Sequence, residues 1–246
     1  METGSRIKVT REPFAGYTGR GVKIAIIDSG VNPAHPHVGG VAGGTRIAAS
    51  EADPSNRNYL DYLGHGTAVA GAIREKAPDA ELYAVKVFDR ALTTNIGAII
   101  NAIDWCIDNQ VDVINLSLGT VNLEHHESIE WAVARALRKN LLIVAAREMT
   151  GKPSLPGCLP SVIGVAEDWH CPRDSYAVSV DTDDELVFIA SAYPREIPGV
   201  PRERNLNGIS FAVANMTGFV ARAREMNPQA SIDQFKRLLV SECTRE

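Results

Sequence analysis

The sequence predicts an α/β fold: a three-layer arrangement in which a parallel β-sheet is flanked by helices on both faces. Three observations carry this. Short apolar, β-branched runs recur along the chain, helix-period segments separate them, and the remaining connections are rich in Gly and Pro. A strand covered on both faces has no polar side, so it reads as a continuous apolar run and not as an alternation. Strand, helix, strand at this spacing implies right-handed crossovers, and so parallel neighbours. The 246 residues, 45% of them hydrophobic, suit one domain with a sizeable core.

The elements follow in order. Residues 1–20 form an N-terminal extension. Residues 22–27 read as a buried strand ending at Asp28, and a Gly- and Pro-rich loop spans 29–45. A helix of small residues begins at Gly64-His65-Gly66-Thr67, and 82–87 is the next strand. Residues 95–109 place Ile96, Ile99, Ile100, Ile103 and Ile107 on one helical face, before a strand at 111–116. Residues 128–139 repeat the helical pattern with Ile129, Ala132, Val133, Ala136 and Leu137, before strands at 141–146 and 162–165. Loops at 150–160 and 194–208 follow the Gly and Pro content. Residues 211–225 form a helix rich in small side chains, and 231–240 a last amphipathic helix with Ser231 as its N-cap. No repeat, low-complexity tract or linker divides the chain, so a single domain over 1–246 is expected.

Composition excludes several function classes. A net charge of −5 gives no basic footprint for nucleic acid or an anionic membrane. The longest apolar runs, near 22–27 and 141–146, are far too short to span a bilayer. The opening Met-Glu-Thr-Gly-Ser-Arg lacks the apolar stretch of a secretory leader, which predicts a cytoplasmic protein. The four cysteines, Cys106, Cys158, Cys171 and Cys243, contain no Cys-x-x-Cys pair, which argues against zinc. They read as free thiols in a reducing compartment, a Cys158–Cys171 disulfide being the lesser alternative.

Three short segments carry chemistry. Asp28-Ser29-Gly30 puts a carboxylate at the end of a buried strand, where it is costly unless paired. Gly64-His65-Gly66-Thr67 sets a histidine between glycines at the start of a tightly packing helix. Asn207-Gly208-Ile209-Ser210-Phe211-Ala212 sets a hydroxyl at another helix start, where backbone N–H groups and the helix dipole favour a developing negative charge. Each alone has a plain structural reading: a turn, a structural histidine, an N-cap serine. Together they supply acid, base and nucleophile in the order Asp, His, Ser.

With these motifs the chain resembles the subtilisin-like serine proteases, from about residue 19 to 240. Val111-Asp112-Val113-Ile114-Asn115-Leu116-Ser117-Leu118-Gly119 and Pro160-Ser161-Val162-Ile163-Gly164-Val165 support the resemblance. It implies a triad of Asp28, His65 and Ser210, with acyl transfer from a peptide to serine and then to water. It implies that Ser117, Leu118 and Gly119 form an edge that pairs with substrate backbone, with Ala145 and Ala146 beside the pocket. It also implies a peptide or protein substrate and no cofactor. Structural calcium is common in the family, but no loop here assigns its ligands: Asp181, Asp183 and Asp184 are a weak candidate cluster that reads first as a solvated acidic loop.

The chain departs from the family in three places. The family places Ala-Ala-Gly-Asn after the strand matching 141–146, and that asparagine donates to the oxyanion. Here the residues are Ala145-Ala146-Arg147-Glu148-Met149. Ungapped, Glu148 takes the asparagine position; with one deletion, Arg147 takes it. Otherwise the loop is rebuilt and neither side chain enters the site. An Arg147 aimed into the pocket would favour an acidic residue before the cleaved bond. Around Ser210, Ile209, Phe211, Ala214 and Asn215 differ from the family's Gly-Thr-Ser-Met-Ala-x-Pro-His. The extension shows no recognisable pro-region, so the chain is either a processed form or an intracellular member. These departures point to a narrow-specificity endopeptidase, such as a leader peptidase for a ribosomally made peptide. The rivals are a pseudoprotease that binds peptides without turnover and a peptide macrocyclase or transpeptidase.

Overall fold

A computed structural model describes residues 7–9, 12–47 and 58–244. Residues 1–6 and 10–11 of the N-terminal extension lie outside them. The strands are β1 (Ile7–Val9), β2 (Lys23–Asp28), β3 (Gly43–Arg46), β4 (Glu81–Lys86), β5 (Val113–Leu116), β6 (Leu142–Ala146), β7 (Glu148–Met149), β8 (Lys152–Pro153), β9 (Ile163–Asp168), β10 (Tyr176–Val180), β11 (Leu186–Ser191) and β12 (Cys243–Thr244). The helices are α1 (His65–Lys76), α2 (Ile96–Asp108), α3 (His126–Arg138), α4 (Ile209–Met226) and α5 (Ile232–Ser241).

Ten strands form one sheet in the order β12-β1-β10-β11-β9-β6-β5-β2-β4-β3. From β3 to β11 every neighbouring pair is parallel. The β11–β10, β10–β1 and β1–β12 pairs are antiparallel. Each predicted strand is present within a residue or two, with β9 running on to Asp168. The sheet also holds strands the apolar pattern did not announce. β3 lies inside the Gly-rich stretch, because Gly44 passes so close to β4 that a Cβ there would sit 2.4 Å from the Ala84 carbonyl.

The sheet separates two cores. One joins it to α1, α4 and α5, with Ile24, Ile26, Ile73, Phe188, Phe211 and Phe219 at its centre. The other joins the opposite face to α2 and α3 through Ile27, Val85, Ile103, Ile114, Val133 and Ile143. Alternate residues of β2 thus face opposite layers, as the strand period requires. Side chains cap two of the helices, Ser231 as the sequence predicted. Asn95 Oδ1 accepts the Ala98 N–H at 2.9 Å. Ser231 forms a capping box with Gln234, each side chain bonded to the other's backbone N–H.

Candidate active site

Parallel strands deliver their C-terminal ends to one edge of the sheet, where ligand sites of open α/β folds collect. Asp28 ends β2 there, fully buried. Its Oδ1 accepts the Ser29 N–H at 2.6 Å and lies 2.8 Å from His65 Nδ1, so that nitrogen carries the proton. Backbone proximity makes this contact possible. A Cβ on Gly66 would sit 2.2 Å from the Gly30 carbonyl and 3.1 Å from Asp28 Oδ1. Gly30 itself has φ +97°, a conformation that excludes ordinary side chains.

His65 is the first residue of α1, and the preceding Gly64 offers no side-chain cap. Two neighbours supply one. Ser29 Oγ accepts the Gly66 N–H at 2.9 Å, and Asp61 Oδ2 accepts the Thr67 N–H at 2.9 Å and its hydroxyl at 2.7 Å. Asp61 Oδ1 also accepts the Leu63 and Gly64 N–H groups and the Ser29 hydroxyl, each at 2.9 Å. Burial opposes ionisation of Asp61, but these bonds outweigh it and hold the carboxyl below its usual range. Burial likewise opposes a charged His65. The hydrogen bond to Asp28 and the charges of Asp28 and Asp61 overcome that and raise the imidazole above its ordinary value. Asp61 was missed by the sequence reading; its signal is an acid shortly before a helix that opens on Gly.

Ser210 is the second residue of α4, after Gly208 at φ +121°. Its Oγ donates to the Ser117 carbonyl at 3.3 Å. Ser117 Oγ returns a bond to the Ser210 carbonyl at 3.4 Å and accepts from buried Asn115 Nδ2 at 2.7 Å. Thr217 Oγ1 on α4 donates to Asn115 Oδ1 at 3.0 Å. This polar thread pins the helix carrying Ser210 to the end of β5, and Asn115 and Thr217 also went unrecognised in the sequence. The Phe211 ring packs against His65 with centroids 5.6 Å apart.

His65 and Ser210 open onto one cleft of about 620 Å³. Ser117, Leu118 and Gly119 form one wall, and Phe88, Leu92, Ile96, Ile99 and Met149 make it largely apolar. Beyond the wall, Thr120 and Leu155 exchange backbone bonds at 3.0 and 2.9 Å.

After β6 the loop is rebuilt, the third of the alternatives the sequence left open. Ala145 and Ala146 are buried in β6 and do not line the cleft. Arg147 turns away to form an ion pair with Asp181 in the β10–β11 turn. A guanidinium with a carboxylate in reach does not stay unpaired in an apolar cleft, so Arg147 serves neither the oxyanion nor the pocket. Glu148 is exposed on the β7–β8 hairpin; burial, and then the Glu148 charge, raises the Glu167 carboxyl. Met149 of that hairpin reaches the cleft instead. Asp181 is thus occupied, also accepting the Asp183 and Glu185 N–H groups at 2.9 and 3.0 Å. No group of three His, Cys, Asp or Glu among the described residues could hold a metal ion. The four cysteines are free.

The comparisons with known proteins agree with this geometry. The Subtilase family model matches residues 19–168. Subtilisin NAT of Bacillus subtilis subsp. natto is 32% identical over 98% of this chain, which spans 65% of that relative. Subtilisin E of Bacillus subtilis matches over the same shares. The subtilisin of Bacillus pumilus is also 32% identical, over 98% of this chain and 90% of its own length. A cold adapted subtilisin-like serine proteinase superposes with a TM-score of 0.71 at 23% identity, covering 92% of this chain and 84% of its own. Family match, near full-length similarity and the Asp28–His65–Ser210 arrangement converge: the chain belongs to the subtilase family.

Proposed function

We propose that this protein is a serine endopeptidase acting through Asp28, His65 and Ser210. The observation that carries the reading is the 2.8 Å Asp28–His65 contact at the mouth of the cleft that also presents Ser210 and the 117–119 edge. A peptide adds as a strand along that edge, its side chains meeting the apolar wall. His65 Nε2 removes the Ser210 hydroxyl proton as Oγ attacks the scissile carbonyl. Asp28 orients the ring and stabilises the imidazolium, which then protonates the leaving amine. The Ser210 N–H, in the unpaired first turn of α4, stabilises the oxyanion. Water releases the acyl group by the same steps in reverse.

The substrate we propose is a particular peptide or protein, including the leader of a ribosomally made peptide, cleaved in a reducing cytoplasm. Four free cysteines and the altered surroundings of Ser210 support this. With Arg147 paired and Glu148 in solvent, neither supplies a side-chain oxyanion donor. Removing that donor from a subtilisin lowers kcat roughly 10²–10³-fold, which leaves an enzyme, but a slow one. The same observation favours a second reading, a peptide-binding module without turnover. Labelling with a fluorophosphonate decides between them. Labelling that disappears in Ser210→Ala supports the enzyme; an unlabelled, folded protein supports the binding module.

A further inference from the structure

A second cavity, of about 410 Å³, lies beside the first turn of α1. It shares no lining residue with the cleft, yet it touches both catalytic elements. Gly64 precedes His65, and Leu206 stands four residues before Ser210 in the loop that leads into α4. In triad chemistry the imidazolium protonates the leaving amine, so the released segment departs on the histidine's flank. The cleft with the 117–119 edge takes the residues before the cleaved bond. The second cavity is therefore placed for residues after it.

Its lining is basic in an acidic protein. Arg195, Arg204, His35 and His37 face it. Arg195 Nη1 donates to the His37 carbonyl at 3.3 Å, and the two histidine rings stack edge to face at 5.1 Å. Asp61 is the one carboxylate among the described lining residues, and its oxygens are taken by five hydrogen bonds. Burial first, and then the charges of Arg195 and His35, hold His37 below its ordinary value against the opposing charge of Glu75. Among the described residues no ion pair engages Arg204, which is exposed and lines the cavity.

We infer that this cavity binds an acidic side chain in the peptide segment following the cleaved bond, with Arg195 and Arg204 as its cationic partners. The inference rests on the peptidase reading and adds a specificity that reading lacks. Exposed and half-buried guanidinium–carboxylate pairs discriminate modestly, about three- to tenfold, and lose that discrimination in salt.

The test uses paired peptides with apolar residues before the cleaved bond and either Glu or Gln at the second, third or fourth position after it. Wild type is assayed for cleavage, and Ser210→Ala for binding of the fluorescent peptides. We expect a Glu-to-Gln ratio in kcat/KM of about three to ten at one position, reduced by 0.5 M salt and abolished or inverted in Arg204→Glu. Arg204→Gln, compared with it, separates loss of charge from reversal, and Arg195→Gln tests the second cationic partner. Cleavage with equal rates for Glu and Gln overturns the inference and leaves the peptidase reading intact. Tighter binding of Glu peptides to Ser210→Ala, with no cleavage by wild type, keeps the cavity's role and overturns the peptidase reading. No discrimination in either assay, with no cleavage, overturns both.

Discussion

Replacing Asp61 by Asn tests how the site holds its histidine. The carboxylate accepts five hydrogen bonds, two of them from Thr67 at the start of α1. An amide keeps one acceptor oxygen, and its NH₂ faces donors. Leu63 and Gly64 are exposed enough for water to serve them. The loss therefore concentrates on the buried Thr67 and Ser29 contacts, about 2 kcal/mol for charge-assisted bonds made and lost. For a domain of this size that is about 4–8 °C in Tm. The pH dependence has a defined sign. Asp61 is held below its unfolded value, so its stabilisation is full above the unfolded carboxylate pKa and disappears as pH falls through the lower folded value. In the Asp61→Asn protein that acid-side loss is absent, and the gap between the two proteins closes toward low pH. The second readout is chemical. Asp61's charge helps raise His65, so Asp61→Asn should move the acid limb of fluorophosphonate labelling to lower pH. Thermal melts from about pH 2 to 9 and labelling rates across the stable part of that range measure both, a span that brackets the ordinary carboxylate and imidazole values. An unchanged Tm with an unmoved acid limb would refute the reasoning.

Two further outcomes follow from the geometry. Gly66→Ala places a methyl 2.2 Å from the Gly30 carbonyl, which must push α1 off β2; a loss of about 3 kcal/mol or more in denaturant unfolding is expected, and a loss under about 1 kcal/mol would show the contact to be soft. Lys76 is buried beside Glu75 and Arg173, and burial with the Arg173 charge lowers its pKa to about 8. Its folded pKa is lower than its unfolded one, so wild-type stability from this group rises between about pH 8 and 10. Lys76→Met should be the more stable protein at about pH 7 with an advantage that shrinks over that window, read from paired chemical denaturation curves.

The Asp28, His65 and Ser210 motifs were legible because each residue sits at a junction of an apolar strand or a small-residue helix with glycine. Such junctions have few alternatives in an α/β sheet. The parallel core strands were legible for the same reason: burial on both faces erases polar positions. What could not be read depended on distant partners. Arg147 and Glu148 had two registers into the site, and the loop follows neither: Asp181, which sits in a turn with no local link to β6, draws Arg147 away. The acidic turn joining β10 to β11 is the feature that captures Arg147. Asn115 looked like one more residue in a strand, because its role appears only when α4 brings Thr217 against it. β1 and β12 are short and need each other's edges, so no local pattern marks them.

That last pair has a practical meaning. Ile7–Val9 and Cys243–Thr244 run side by side, so the described chain enters and leaves at one rim of the sheet. Five strand spacings separate β1 from β5, about 24 Å at ordinary sheet spacing. A tether, reporter or solid support joined at Ile7–Val9 or Cys243–Thr244 would hang from that rim, away from the cleft that His65 and Ser210 line.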